Sequence, residues 1–460
     1  MRALLPVIEL YNEETNADAI LWTEPLQFLS LSAQSSEITI MHIISRKTCR
    51  VCGSESLTPV INLGEQHLQG SFIKEGKEVP PMRRIPCELV RCNPMIDERA
   101  CGLLQMKHTV PPQILYAAYW YRSGTNHTMR NHMQRLAEET MQILAKQNAT
   151  VLDIGCNDGT LLNCYPAGFV KYGVDPSDVA QEVKGENIHV VQDIFPSPQL
   201  ANVLGRQKVD LITSIAMFYD LEDPVAFCRS VSSILSDDGI WVLEMSYMPA
   251  MLKLNMYDTI CHEHLEYYSL AVIEKVLGLA DLYVFRVELN DINGGSIRCF
   301  ATHTDNTKYI ATANQQVINQ IRLQEFDLEL ETDTPYLDFQ NRIDKEKEAL
   351  RELLVKLKQD GKRIHAYGAS TKGNTILQFC GIDNALIECA AERNPDKYEA
   401  RTLGTNIPIV SEAESRAMMP DYYLVLPWHF KDEFVEREKA MLDKGVGFIF
   451  PLPTIEILKR

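Results

Sequence analysis

The chain has 460 residues, of which 45% are hydrophobic and 23% charged, with a formal net charge of -17. That length exceeds one ordinary domain and implies about three units. The acidic balance argues against DNA or RNA as the main partner, because nothing basic would neutralise the phosphates, although a local cationic pocket could still take a small anionic substrate. No apolar run approaches the ~18–20 residues needed to span a bilayer, so no membrane partner is expected. The opening residues lack the basic-then-apolar order of a signal peptide. A cytoplasmic protein is the expectation. In that reducing setting, five cysteines between Cys49 and Cys101 suggest a metal before disulfides.

Residues 1–45 carry no motif and read as an N-terminal extension, either poorly ordered or a helix packed on the body. Residues 46–108 are rich in Cys, Pro and Gly, and a core this small needs a staple. The CRVCG segment places Cys49 and Cys52 on one metal-binding knuckle, which zinc completes with two more thiolates. Cys92 and Cys101, with eight residues between them, are the favoured second pair and Cys87 is the spare; buried free thiols are the alternative. Four thiolates leave no open position, so such a zinc is structural.

Residues 109–305 form the second unit. The stretch 130–146 has apolar residues at helical spacing. Strand-like VLDIG, VKYGVD, VDLITSIAM and GIWVLEMS then alternate with helical stretches, which predicts βαβ units and a parallel sheet. In VLDIGCNDG a strand runs into a DxGxxxG turn, where Gly155, Asn157 and Gly159 let a backbone approach a ligand closely. Asp153 ends the first strand and can meet the methionine part of S-adenosylmethionine. Asp175 ends the next strand, where an acid can accept both ribose hydroxyls. Asp193 falls where the adenine amino group would be held. The turn is not GxGxxG, and a plain strand-helix turn is the bland alternative.

The segment YDTICHEHLEYY crowds Tyr257, Asp258, His262, Glu263, His264 and Glu266 into a short span. If the methyl acceptor is carbon, a proton beside a carbonyl must first be removed, and a histidine suits that role. Metal ligation and a polar helix start are the other readings. Tyr119 and Tyr121 precede this unit's core and could form a lid, or simply pack.

Residues 306–460 form the third unit. Residues 335–360 read as a long charged helix ending at Gly361. A strand-loop-helix pattern, KRIHAYGASTKGNTILQFC, follows, with later strands at LIECAAE, YYLVLPW and GFIFPLP. There Ser370 and Lys372 stand at a helix start, where backbone N–H groups and a lysine could hold a diphosphate; a solvated lysine on a plain turn is the alternative.

Taken in order, the Cys-rich module, the DIGCNDG core, the EH-containing loop and the YGAxxKG segment resemble the deoxysugar C-methyltransferases, over about residues 46–459. The resemblance implies a zinc-binding N-terminal domain, a class I methyltransferase (Rossmann-like) core and a C-terminal Rossmann-like α/β domain, with a nucleotide-linked 4-keto sugar in the cleft. It implies His264 as the base with Glu263 beside it. Tyr121 matches the tyrosine of the family's YxYxSS-like segment, and it or a nearby donor is expected to hold the enolate oxygen in catalysis, while Asn293, Gly294, Gly295 and Ser296 match a substrate loop. Ser370 and Lys372 match diphosphate contacts. It also implies C3 as the methylated carbon. The chain departs from the pattern at Cys261 and His262, where a tyrosine and an aspartate are usual, and in reading NGG for HGG. An O- or N-methyltransferase of another small metabolite, and a zinc-stabilised binding protein without activity, are the competing readings.

Overall fold

The computed structural model describes residues 43–116 and 120–460, so most of the expected N-terminal extension and Tyr119 lie outside the described residues. Residues 42–460 form one unit. Its N-terminal part is antiparallel: β1 (Leu57–Gln66) pairs with β2 (Ile85–Cys92), which pairs with β3 (Leu104–Met106). The alternating burial of β1 matches a strand with one wet face.

Helix α1 (His127–Leu144) is capped by Asn126, whose side chain accepts the Thr128 N–H, and it ends at Ala145 in a left-handed conformation. It buries Met129, Met133, Leu136, Ala137, Thr140 and Leu144, a helical stripe. The parallel strands follow: β4 (Thr150–Ile154), β5 (Val170–Val174), β6 (Ile188–Val191), β7 (Val209–Ile215) and β8 (Leu235–Ser246). Every residue of β4 is buried, as a strand covered on both faces requires. The short β9 (Glu266–Tyr267) and α2 (Leu270–Gly278) lead to β10 (Leu282–Asn290) and β11 (Ser296–His303).

The central sheet has the order β10-β11-β8-β7-β4-β5-β6, with β11 antiparallel to both β8 and β10 and the other neighbours parallel. The strand order reverses between β4 and β7, so the C-terminal ends of these two strands open a crevice at the switch point. This is the class I methyltransferase topology.

Helix α3 (Thr312–Asp327) packs on β10, and α4 (Thr334–Gln359) packs on β1 through a stripe of Tyr336, Phe339, Ile343, Leu350 and Leu354. The C-terminal sheet then runs β12 (Ile364–Tyr367), β13 (Ala390–Glu392), β14 (Ile409–Ser411), β15 (Tyr422–Val425), β16 (Gly447–Phe450) and β17 (Glu456–Leu458). Its order is β14-β13-β12-β15-β16-β17, parallel except for the last hairpin. Here too the order reverses, between β12 and β15. Helix α5 (Thr371–Phe379) starts in that crevice.

The three segments are sewn together by their strands. β9 pairs antiparallel with β3, so a strand from the central segment completes the N-terminal sheet. Phe72–Ile73 pairs with Arg401–Thr402 of the C-terminal segment. One apolar core runs from Ile61 and Leu89 through Tyr257 and Ile260 to Ile376 and Tyr423.

Arg50, fully buried between the knuckle cysteines, holds β9 from the other side. Its guanidinium faces the Glu266 carboxylate at 3.5 Å and donates to the Met106 carbonyl at 2.6 Å and the Thr109 hydroxyl at 2.6 Å. Neither Arg50 nor Glu266 exposes its side chain, so removing the cation leaves an uncompensated buried acid. Arg50→Met is expected to destabilise the fold by about 3–5 kcal/mol at neutral pH, as measured by urea denaturation.

Candidate functional site

The four cysteines named from the sequence converge. The Cys49 and Cys101 sulfurs lie 3.5 Å apart, those of Cys52 and Cys92 3.4 Å apart, and all four lie within 4.8 Å of one another. Zn–S bonds of about 2.3 Å in a tetrahedron put sulfurs close to this spacing. The knuckle is stabilised locally: Cys49 N–H donates to the Ser54 carbonyl, Gly53 N–H to the Cys49 carbonyl, and Val51 N–H points at the Cys49 sulfur. Cys87 is elsewhere, buried against the Ile260 carbonyl. Four soft ligands and no open position make this a structural zinc site. It packs into the core beneath the central sheet beside Leu103 and Tyr268. Stripping zinc with a strong chelator is expected to lower the melting temperature by several degrees; Cys92→Ser should reproduce the loss and make the protein insensitive to the chelator.

At the switch point, the turn after β4 carries Gly155 at φ +78°, Asn157 at φ +49° and Gly159 at φ +73°. Asp175 closes it: one oxygen accepts the Asn157 N–H at 2.9 Å, the other accepts the Ser177 N–H and hydroxyl at 2.9 and 2.5 Å. Asp153 is buried on β4, opposite Thr213 of β7, whose hydroxyl donates to it at 2.6 Å. Burial pushes its carboxyl up to about 7, and the Thr213 hydrogen bond opposes this. Asp193 is half-buried two residues past β6, accepting the Ile194 N–H at 2.8 Å and the Ser197 hydroxyl at 2.6 Å.

A strap crosses this corner. Asn157 accepts the Ser123 N–H at 3.0 Å and donates to the Tyr121 carbonyl at 3.1 Å, while Asp158 accepts the Gly124 N–H at 2.7 Å. Arg122 pairs with Glu182 on the central segment and Asp396 on the C-terminal one. Tyr121 itself is 47% exposed and belongs to this corner.

The second half of the site comes from the segment before β9. His264 sets its Nδ1 2.7 Å from the Thr259 carbonyl, which can only accept. The proton therefore sits on Nδ1 and the lone pair on Nε2. The Tyr219 ring packs on the imidazole, with ring centres 4.4 Å apart. Burial pulls His264 down to about 4, helped by the Lys372 cation and opposed by the Thr259 hydrogen bond. Glu263 faces the Thr371 hydroxyl and Lys397; burial pushes it up to about 7. It also packs against Gly70 so tightly that a Cβ there would fall 1.9 Å from its oxygen.

Lys372 donates to the Asn293 carbonyl at 2.9 Å, which joins the start of α5 to the Asn293-Gly294 loop. Gly294 has φ +95°, and a Cβ on it would come within 2.9 Å of Met256. Ser296 is buried, donating to the Ile292 carbonyl at 2.9 Å. Ser370 caps α5: its hydroxyl oxygen accepts the Gly373 N–H. Cys261 and His262 turn inward. His262 lies between the Gln69 side chain at 2.8 Å and the Ile85 carbonyl at 3.2 Å, away from its neighbours' cleft.

Other groups here were not singled out as ligands from the sequence. Asp258 accepts from the Trp428 indole at 2.9 Å and leaves its other oxygen buried and unpartnered. His429 lies close enough to Lys372 to feel its charge. Asp220 stands in the loop after β7.

The central sheet and the glycine corner define a class I, S-adenosylmethionine-dependent methyltransferase, and the acids at the strand ends suit a cationic nucleoside. A methyltransferase-domain model matches residues 125–287, a zinc-binding-domain model residues 49–116, and a C-methyltransferase C-terminal-domain model residues 291–453. The three matches stand in chain order, zinc-binding domain, methyltransferase domain and C-methyltransferase C-terminal domain, and together they run from residue 49 to residue 453. The C-methyltransferase NovU of Streptomyces niveus is 27% identical over 414 residues, spanning 89% of this chain and 96% of that protein. A ubiquinone biosynthesis O-methyltransferase of Haemophilus ducreyi is 31% identical over 124 residues, 25% of this chain and 52% of that protein. The magnesium protoporphyrin IX methyltransferase of Synechocystis, solved with bound S-adenosylmethionine, aligns over 38% of this chain and 81% of its own at 20% identity and a TM-score of 0.28. Among the described residues no helix is long and apolar enough to cross a membrane.

Burial holds the Asp153 carboxyl at about 7, so if it is to serve the cationic end of a bound S-adenosylmethionine it must first lose its proton. Calorimetric affinity for S-adenosylmethionine is therefore expected to weaken as pH falls below about 7, by up to roughly tenfold per unit. Asp153→Asn should bind more weakly and lose that dependence.

Proposed function

We propose that the enzyme transfers a methyl group to a carbon next to the C4 ketone of a nucleoside-diphosphate 4-keto-deoxysugar. The observation that carries this reading is His264: an imidazole whose Nδ1–H is fixed on a backbone carbonyl, leaving Nε2 as a base, packed on Tyr219 of the loop after β7 and close enough to Lys372 at the start of α5 to feel its charge. An O- or N-methyl acceptor would have less need of such a base. The similarity to NovU, itself named a C-methyltransferase, supports it.

In this reading Asp153, Asp175, Asp193 and the turn of Gly155, Asn157 and Gly159 hold S-adenosylmethionine, which supplies an electrophilic methyl group. The strap through Tyr121 excludes water. Lys372, the α5 N-terminus capped by Ser370, and the Asn293-Gly294 loop hold the diphosphate end of the sugar nucleotide. Glu263, half protonated near pH 7, holds a sugar hydroxyl. His264 Nε2 takes the proton from the carbon beside the ketone, at C3 by family resemblance, and the resulting enolate carbon receives the methyl group. At about 4 the free imidazole is neutral at any physiological pH, so its base form is always present. A diphosphate on Lys372 would offset the cation that depresses it and raise its basicity on substrate binding. The whole of residues 306–460 would then serve the substrate, residues 109–305 the methyl donor, and residues 46–108 the scaffold.

His264→Gln and His264→Ala, assayed with a 4-keto sugar nucleotide, are expected to lose about 10²–10⁴-fold in kcat with unchanged affinity for S-adenosylmethionine. Undiminished turnover would remove the base assignment.

A further inference from the structure

Removing a proton beside a ketone leaves negative charge on the carbonyl oxygen, so a site that does this needs a donor aimed at that oxygen. Tyr121 sits with the glycine corner, its carbonyl accepting from Asn157, whereas other groups lie nearer His264. The loop after β7 runs along this whole face. Ala216 takes φ +56° and donates to the Glu244 carbonyl; Met217 packs against Gly155. The Tyr219 carbonyl accepts two backbone N–H groups, from Leu265 at 2.7 Å and Glu266 at 3.1 Å, and the Tyr219 ring lies on His264. Asp220 is the next residue. It is half-buried, and its Oδ1 is enclosed with no hydrogen-bond partner. The Tyr116 hydroxyl bonds to the same carboxyl group.

We propose that Asp220 is a further catalytic residue, a neutral carboxylic acid whose O–H donates to the substrate's carbonyl oxygen as it becomes an enolate. This rests on the C-methylation of a ketone argued above. An ionised carboxylate is a poor occupant of this position. Glu263 and Glu266 approach it as like charges, Tyr116, Cys261 and Tyr267 add no cation, and Arg50 is committed to Glu266. Burial, then Glu263 and Glu266, hold the Asp220 carboxyl well above the usual carboxylate range. A protonated acid relieves that repulsion and gives the enclosed oxygen a use. Electrons balance without another reactant. The C–H pair becomes the C=C bond as the proton goes to His264 Nε2, and the carbonyl π pair moves onto oxygen, where the Asp220 hydrogen bond shortens. The pair then returns as carbon bonds to methyl and the sulfur–methyl bond breaks, its electrons staying on sulfur. Asp220 keeps its proton throughout.

The test is exchange of the substrate's α-proton with D₂O, followed by NMR, with S-adenosylhomocysteine in place of the methyl donor and a thymidine-diphosphate 4-keto-6-deoxyhexose as probe. Asp220→Ala is expected to slow exchange about 100-fold. Asp220→Asn, a neutral donor of the same shape, should retain most of the rate and flatten the alkaline limb of the pH profile. Calorimetric binding of S-adenosylhomocysteine checks that both variants fold. Equal loss in both variants, or wild-type exchange in Asp220→Ala, overturns the donor role while leaving the reaction standing. Absence of exchange in the wild type overturns the ketone substrate and the inference with it.

Discussion

Two hydrogen bonds onto one carbonyl hold the site in one piece. The Tyr219 oxygen accepts from Leu265 and Glu266, which ties the loop after β7 to the segment that carries Glu263 and His264. Without that tie, the glycine corner and the imidazole belong to separate pieces of chain with no fixed distance between them. The tie is itself supported from below. Glu266 and Tyr267 pair with β3, β3 pairs with β2, and β2 ends at Cys92 in the zinc cluster. A metal held by the four cysteines would therefore bear on the His264 segment at long range, by fixing the sheet on which that segment is laid. Arg50, seated inside the knuckle motif and paired with Glu266, shortens that path.

Burial sets the charge states once these pieces are in place. Asp153 and Glu263 are pushed up to about 7, and His264 is pulled down to about 4, each chiefly because a charged form is costly away from water. The free enzyme thus holds its acids near neutrality and its imidazole uncharged. In the proposed reaction a cationic methyl donor and an anionic diphosphate would each supply the charge the site lacks, and binding both would change the ionisation of the groups proposed to serve them.

Much of this was legible in the residues. The DxGxxxG turn, the acids at the strand ends and the two α/β patterns follow from strand periodicity and glycine placement, and both sheets have the expected parallel strands. The CxxC knuckle announced the metal; the widely spaced partners Cys92 and Cys101 were harder, and geometry separates them from Cys87, which faces Ile260 instead. Helix α1 begins at His127 because Asn126 caps it, slightly ahead of the apolar periodicity. Ser370 could have been read as a helix cap from its position alone. What the pattern could not carry is the interleaving of segments. β9 lies in the N-terminal sheet and Phe72–Ile73 pairs with Arg401–Thr402, contacts between residues far apart in sequence that no local period records. Asp220 and His429 were hidden for the same reason: each is a common residue in an ordinary stretch, and only the fold gives it neighbours.

The departures at Cys261 and His262 illustrate how much position decides. In the sequence they look like lost site residues, since they precede Glu263 and His264 directly. In the fold both are sunk, Cys261 in the core and His262 between Gln69 and the Ile85 carbonyl, so their side chains serve the seam between the N-terminal sheet and the catalytic segment. His262 is fully enclosed and pulled down to about 4 by burial, so it stays neutral and adds no charge beside Glu263. The polar groups around Glu263 and on the facing loop come from other elements, Thr371 and Lys397 near Glu263 and Asp220 from the loop after β7. A motif position that looks like a lost contact in the sequence is therefore a packing position in the fold.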